Sequence, residues 1–355
     1  MKKLIKFIVF LGLIFFVIFV IASLSKEKKG EPVSIVSPVS TAETKINSLA
    51  PNNRILFVSK RDTGSRRTEI YAMDADGGNI TRITESDEHH FIMGIDFSRR
   101  YIVTSISRSD TDKPKGLGDE DKRQLALIDL QTKKQVVLTG PESHAEGRSF
   151  SPDGQWIVFL MKTPGNESDI YKIKIDGTGL TNLTKTKDAI EGDPDWSPVG
   201  DRIIFTSLDA ATGRFVLKTM NSSGGEIKTV YDGGKNVAIG PFPSGNYDPA
   251  WSADGQWITF ERAIENNGAN WGNGVWHIFK VKADGTNLVD LSVAGNHTDR
   301  AEFLPSFSPD GKSIIFASYY EAKNLVDSHD NIFTMDLMGG SVVKLTAGQY
   351  PRWIK

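Results

Sequence analysis

The chain has 355 residues, of which 39% are apolar and 24% charged, with a formal net charge of −2 and no cysteine. These values exclude a disordered or collagen-like chain, and with it disulfides, thiolate metal ligands and cysteine nucleophiles. Near-neutral charge, without a basic stripe interleaved with aromatics, gives no reason to expect nucleic-acid binding.

In chain order, the first predicted element is apolar. Lys2, Lys3 and Lys6 precede an uncharged run from Phe7 to Leu24, which ends at Ser25 and the charged group Lys26 to Lys29. A helix of that length is about 27 Å long and crosses the hydrocarbon layer. Residues 1–25 therefore read as a transmembrane anchor, with membrane contact through 7–24; Val20 and Ala22 before Ser23 leave a cleaved signal segment as the other reading. Three lysines stand on each side of the run, so charge does not choose an orientation, and export of the C-terminal part is the expectation. Residues 26–53, rich in Ser, Thr, Pro and Lys, read as a flexible stalk.

From residue 54 to 355 the chain repeats itself. SFSPDGQWIVF (Ser149 to Phe159) returns as AWSADGQWITF (Ala250 to Phe260) and SFSPDGKSIIF (Ser306 to Phe316), with looser copies at Asp195 to Phe205 and Ile95 to Ser105. Each copy is followed by two more strand-like runs, such as DIYKIKID and GLTNLT, bounded by Gly, Asp or Asn. The Asp-Gly of SPDG supplies a tight turn after the first strand, and DADGGN, KIDGTG and KADGTN supply one after the third. The aromatics before the key serine, Phe97, Phe150, Trp196, Trp251, Phe307 and Trp353, are spaced by 53, 46, 55, 56 and 46 residues. Four strands repeating at about 40 to 55 residues mark a β-propeller. NRILFVSK, EIYAMD and ITRIT provide a second, third and fourth strand without a first, and PRWIK at Pro351 to Lys355 provides a first strand without the rest. The expected fold is therefore all-β: a six-bladed β-propeller of four-stranded antiparallel blades over residues 54–355, closed by pairing of its two ends, its aromatics packed between blades.

The WSPDG, IYxMDADGG and LT signatures resemble the propeller repeats of TolB, the periplasmic component of the Tol-Pal system, and of prolyl oligopeptidase-type propellers. The resemblance covers about 300 residues and implies the propeller fold. TolB carries an α/β domain before its propeller, whereas the stalk stands in that place here. The peptidases add an α/β-hydrolase domain, and no Gly-x-Ser-x-Gly elbow is present.

In a ring of this order the turns after first and third strands share one face, and the long, dissimilar loops after second and fourth strands share the other. Binding is expected on the loop face. His89, His90, His144, Glu146, Glu191, Asp193, Asp195, Asp248, His297, Asp299 and Glu302 stand just before the first strands, ringing the channel mouth. Among them His90, His144, Asp193, Asp248, His297 and Glu302 are the candidates for a divalent metal, imidazoles suiting transition ions and carboxylates suiting calcium; the other reading is a solvated polar rim. Trp271, between glycines and asparagines on the loop Ile264 to Trp276, is a candidate to stack on a sugar or clamp a peptide, or to fold back over the blade. Trp276 alternates as a core residue of a strand. No catalytic residue and no cofactor-binding motif emerges. The expected function is that of a monomeric, membrane-tethered, extracytoplasmic TolB-like propeller that binds a protein or peptide partner in the cell envelope. The alternative is a propeller enzyme, a polysaccharide lyase or hydrolase, using a metal at the His and carboxylate rim.

Overall fold

The computed structural model describes residues 44–354 apart from 53, 63–66, 108–121, 142, 163–166, 187–188, 236, 238, 240–242, 266–273, 299 and 320–329. The predicted anchor lies outside the described residues, among which no helix is long and apolar enough to cross a membrane. The described part is an all-β, propeller-like fold whose one helix is the short turn Leu291–Ala294, capped by Asp290.

Apart from the two-stranded pair Lys45–Ile46 with Thr84–Glu85, its strands form six antiparallel groups of four. Sheet 1 orders Gln349–Trp353, Ile55–Ser59, Glu69–Met73 and Thr81–Arg82. Sheet 2 orders His89–Ile95, Tyr101–Ser107, Gln124–Asp129 and Lys134–Val137; sheet 3 orders His144–Phe150, Trp156–Lys162, Ser168–Lys174 and Thr181–Asn182. Sheet 4 contains Glu191–Trp196, Ile203–Asp209, Arg214–Met220 and Lys228–Tyr231, and sheet 5 contains Ser244–Trp251, Trp257–Glu265, Val275–Lys282 and Val289–Asp290. Sheet 6 contains Ala301–Phe307, Ser313–Tyr319, Asp330–Asp336 and Val343–Ala347. Short parallel bridges link sheet 4 to sheet 5 at Phe215 and Gly245, and sheet 5 to sheet 6 at Trp276 and Ala301. In sheet 1, Ile55 pairs with Trp353 and Leu56 with Arg352, so the first strand comes from the far end of the sequence.

The recurring phrases now have physical roles. In the SPDG turn Ser151 Oγ accepts the amide of Trp156 at 2.9 Å and donates to Asp153 at 2.5 Å, while Asp153 accepts the amide of Gln155 at 3.0 Å. Gly154 sits at φ 67°, which a side chain would penalise. The LT phrase is a hydroxyl clasp between fourth and third strands. Thr84, Thr139, Thr184 and Ser292 accept the amides of Ile70, Leu125, Ile170 and Ile278 at 2.9, 2.9, 3.1 and 3.0 Å.

Second strands such as WIVFLMK are apolar on both faces because each is covered on both sides by its neighbours. The aromatics Phe150, Trp196, Trp251, Phe307 and Trp353 are all buried, and each packs with residues of the preceding sheet. Trp196, for instance, meets Val158, Ile170 and Leu183 of the sheet 3 region, and Trp353 meets Ile315 and Ile332 of sheet 6. The expected place of Phe97 in this series is corrected: Ile95 pairs with Ile102 as Phe150 does with Ile157, and it is Ile95 that enters the core. Asp96 takes the serine's position, accepting the amide of Tyr101 at 2.6 Å, and Phe97 is left in the turn, 39% exposed.

The first strands lie side by side in chain order, with that of sheet 1 between those of sheets 6 and 2. Their approach leaves no room at Gly94, where a Cβ would stand 2.2 Å from the Arg148 carbonyl oxygen. Gly94→Ala is expected to lower the melting temperature by several degrees in a circular-dichroism melt, a loss of about 1–3 kcal/mol. An unchanged transition would show that the two strands can part without cost.

Candidate functional site

Each first strand is interrupted where it faces the centre. Pairing with the second strand slips between Gly192 and Asp195, Tyr247 and Ala250, and Phe303 and Ser306, with a matching slip between Leu56 and Val58 opposite Tyr350. The slips coincide with a tetrad, x-Pro-x-aromatic: DPDW, DPAW, LPSF and YPRW. In it Asp193, Asp248, Leu304 and Tyr350 adopt φ of 49°, 50°, 56° and 50°. Proline disfavours the helical region for the residue before it and removes one ladder donor, and the bulge re-aims the side chain. A left-handed residue here costs about 1–3 kcal/mol and is held by the surrounding sheets.

All four of these side chains line a cavity of 560 Å³ whose wall draws on five of the six sheets and on a residue beside the other. Arg123 comes from beside sheet 2, Leu160 from sheet 3, Glu191, Asp193 and Thr206 from sheet 4, Tyr247, Asp248 and Glu261 from sheet 5, Leu304 from sheet 6, and Tyr350 from sheet 1. The wall is rich in carboxylates. Glu146 accepts from Arg123 at 2.6 Å and meets His144 Nε2 at 3.0 Å. Burial, the largest single influence, pushes its carboxyl up, but Arg123 and His144 together outweigh it and hold it at about 2. Arg148, itself buried, pairs with Asp248 and lies 3.7 Å from Asp193. Burial nevertheless keeps Asp193 above the ordinary carboxylate range, Glu146 adding to the effect and Arg148 opposing it. Burial pushes Glu191 up to about 7 and Glu261 up to about 8, the latter although Leu304 donates its amide to Glu261 Oε2. Such displaced acids in a cleft are a feature of functional sites.

Nine of the eleven residues expected at the mouth divide into three groups. His144, Glu146, Glu191, Asp193 and Asp248 are brought together at this cavity. Asp195 stands beyond them, lining a small inner cavity of 40 Å³ with Arg148 and Arg352. His90, His297 and Glu302 do not reach the mouth; they are buried between sheets. His90 lies 3.7 Å from Glu69 and 3.2 Å from Ser86, and burial drops its pKa to about 3, so it is neutral. His297 contacts Glu302 at 2.7 Å and the Gly339 carbonyl at 2.8 Å. His89 stacks on Phe91. Among the described residues no three carboxylate or imidazole groups are gathered as a metal would need. Trp271 and Asp299 lie outside the described residues, and Trp276 is fully buried, as its alternation predicted.

Glu261 was missed by sequence reading because it sits inside an apolar strand, WITFERAIE. A signal existed: Leu160, Thr206, Glu261 and Ala317 each follow the recurring phenylalanine of a second strand, and all four face the cavity.

Residues 44–245, more than half of the chain, match the family model described as the TolB beta propeller domain. The chain belongs to the TolB beta propeller domain family. The TolB-type propeller fold agrees with solved structures. TolB from Acinetobacter baumannii superposes with a TM-score of 0.61 at 20% identity, over 85% of this chain and 66% of that one. A structure titled putative TolB from Agrobacterium tumefaciens gives 0.58 at 17% identity, over 88% of this chain and 100% of that one. Among curated proteins, the uncharacterized protein Atu1656 of Agrobacterium fabrum is 29% identical over 145 residues, 38% of this chain and 45% of its own length. The matched part is thus under half of that relative. The cavity stands where first strands of sheets 1 and 3 to 6 and second strands of sheets 3 to 6 converge.

Proposed function

We propose that the chain is a binding platform of the cell envelope, tethered through residues 7–24, whose six sheets are the blades of a closed ring. A protein or peptide segment enters the 560 Å³ cavity at the mouth of that ring. The observation that carries this reading is the origin of the wall: five sheets contribute strand residues and Arg123 adds to them from beside the sixth, so a guest is gripped from many sides by a rigid scaffold. Membership of the TolB propeller family supports a protein partner in the envelope. The enzyme reading is weakened where it calls on His90 and His297, since both are buried away from the mouth.

The test is covalent capture. A photo-crosslinking amino acid placed at Leu160, on the cavity wall, in the full-length chain in its own cells should give a discrete protein adduct. The same group at Gln155, exposed in a tight turn of the opposite face, should not. Equal capture at both positions, or none at Leu160, would remove this reading.

A further inference from the structure

Resting on the mouth as the binding site, we propose that the guest presents a lysine or arginine side chain and that Glu261, with Asp193 beside it, receives the cationic head. The argument begins with a census of charge. Five carboxylates line the cavity, namely Glu146, Glu191, Asp193, Asp248 and Glu261, against the guanidinium of Arg123 in the same wall and that of Arg148 behind it. Arg123 is engaged by Glu146, and Arg148 by Asp248 and Asp193. Arg352, the remaining cation near Glu261, lines the inner cavity and acts at a distance, shared with Asp195 and Asp193.

Glu261 is the group this leaves over. It is 1% exposed, its hydrogen bonding consists of the Leu304 amide on Oε2, and it has no ion pair among the described residues, yet it faces open cavity. A carboxyl group buried without a cation is costly, and a group held so at a cavity wall is an acceptor awaiting one. The groups around it are Asp193 and Asp248 in the same wall, Tyr247 paired with it in register, and Arg148 and Arg352 behind.

The rest of the wall fits the stem of such a side chain. Leu160, Ile190, Phe215, Tyr247, Phe303 and Leu304 form an apolar and aromatic collar, with Phe215 and Tyr247 edge to face at 5.1 Å. An alkyl chain packs along such a collar while its charged head passes inward to the acid, and a guanidinium or ammonium gains further from aromatic faces. A compact metal ion would instead want three or more ligands drawn together, which the described residues do not offer. Because Glu261 holds its proton up to about 8, the incoming cation displaces that proton, and affinity should rise with pH.

The probes are capped pentapeptides, Gly-Gly-Lys-Gly-Gly and its arginine, norleucine and glutamate counterparts, titrated calorimetrically into the full-length chain, with calcium chloride as a separate arm. The lysine and arginine peptides should bind at least about tenfold more tightly than the norleucine peptide, and more tightly near pH 8.5 than near pH 6.5. Glu261→Gln, which keeps an acceptor for the Leu304 amide, should abolish that preference, and Asp193→Asn should reduce it. Equal binding of lysine and norleucine peptides, a preference that survives both substitutions, or uptake of calcium without uptake of the lysine peptide would each overturn the assignment. Capture at Leu160 that persists in those cases would leave the mouth standing as the binding site with a different guest.

Discussion

A chain ending at Gly348 should lose its cooperative thermal transition. Residues 349–354 supply the first strand of sheet 1, where Ile55 and Leu56 pair with Trp353 and Arg352 and Ile354 donates its amide to the Arg54 carbonyl at 2.7 Å. They also bury Trp353 and Ile354 in the cores that sheet 1 shares with sheets 6 and 2. Removing one large buried aromatic costs about 3–5 kcal/mol, and whole-domain stability is about 5–15 kcal/mol. Deleting the strand removes that, a second apolar side chain and a ladder, while exposing the edge of Ile55–Ser59. Trp353→Ala alone should retain a transition lowered by roughly 10 °C. Differential scanning calorimetry decides the matter: a truncated chain that melts cooperatively at the parent temperature would mean that sheets 1 and 6 do not depend on this strand.

The second large effect is a pH dependence of stability governed by Glu261. Its carboxyl titrates at about 8 in the folded chain because burial outweighs the Leu304 amide, against 4.5 for the free side chain. Between those values the folded state holds a proton that the unfolded state releases, so stability falls as pH rises. Glu191, held at about 7, contributes with the same sign. So does His297, where burial pulls down but the bond and charge of Glu302 raise the pKa on balance. His90 acts oppositely, yet most of its contribution falls below its ordinary value of about 6.5 and little of it lies above. In the window from about pH 6.5 to pH 8.5 the chain should therefore lose on the order of 2 kcal/mol, seen as a fall of several degrees in melting temperature. Glu261→Gln should flatten most of that slope and be the more stable protein at the alkaline end. Parallel slopes for the two proteins would show that Glu261 is as solvated folded as unfolded.

Much of this fold could be read from letters, because a propeller repeats its local chemistry. Ser151 and Asp153 make the same turn as Ser252 with Asp254 and Ser308 with Asp310. The apolar second strands are continuous because both faces are covered. Where the phrase decays the reading slips: in DFSRRY the aspartate replaces the serine as hydrogen-bond acceptor, and counting from the aromatic puts Phe97 where Ile95 belongs. The site was less legible. Position before a first strand was taken as position at the mouth; Glu191 and Asp193 line the cavity while His90 and His297 are buried away from it, since the start of a first strand also faces the neighbouring sheet. The side chains that do face inward are chosen by the bulge at x-Pro, a backbone event that alternation alone does not register. Glu261 is visible only once second strands are aligned on their phenylalanines.

Ile55 and Trp353 are ladder partners separated by 298 residues. During synthesis the second to fourth strands of sheet 1 emerge long before the strand that pairs with their open edge. Interactions so remote along the polymer slow folding, and no partial product can acquire the finished seam. A chain interrupted before Gln349 would leave the edge of Ile55–Ser59 without its ladder partner.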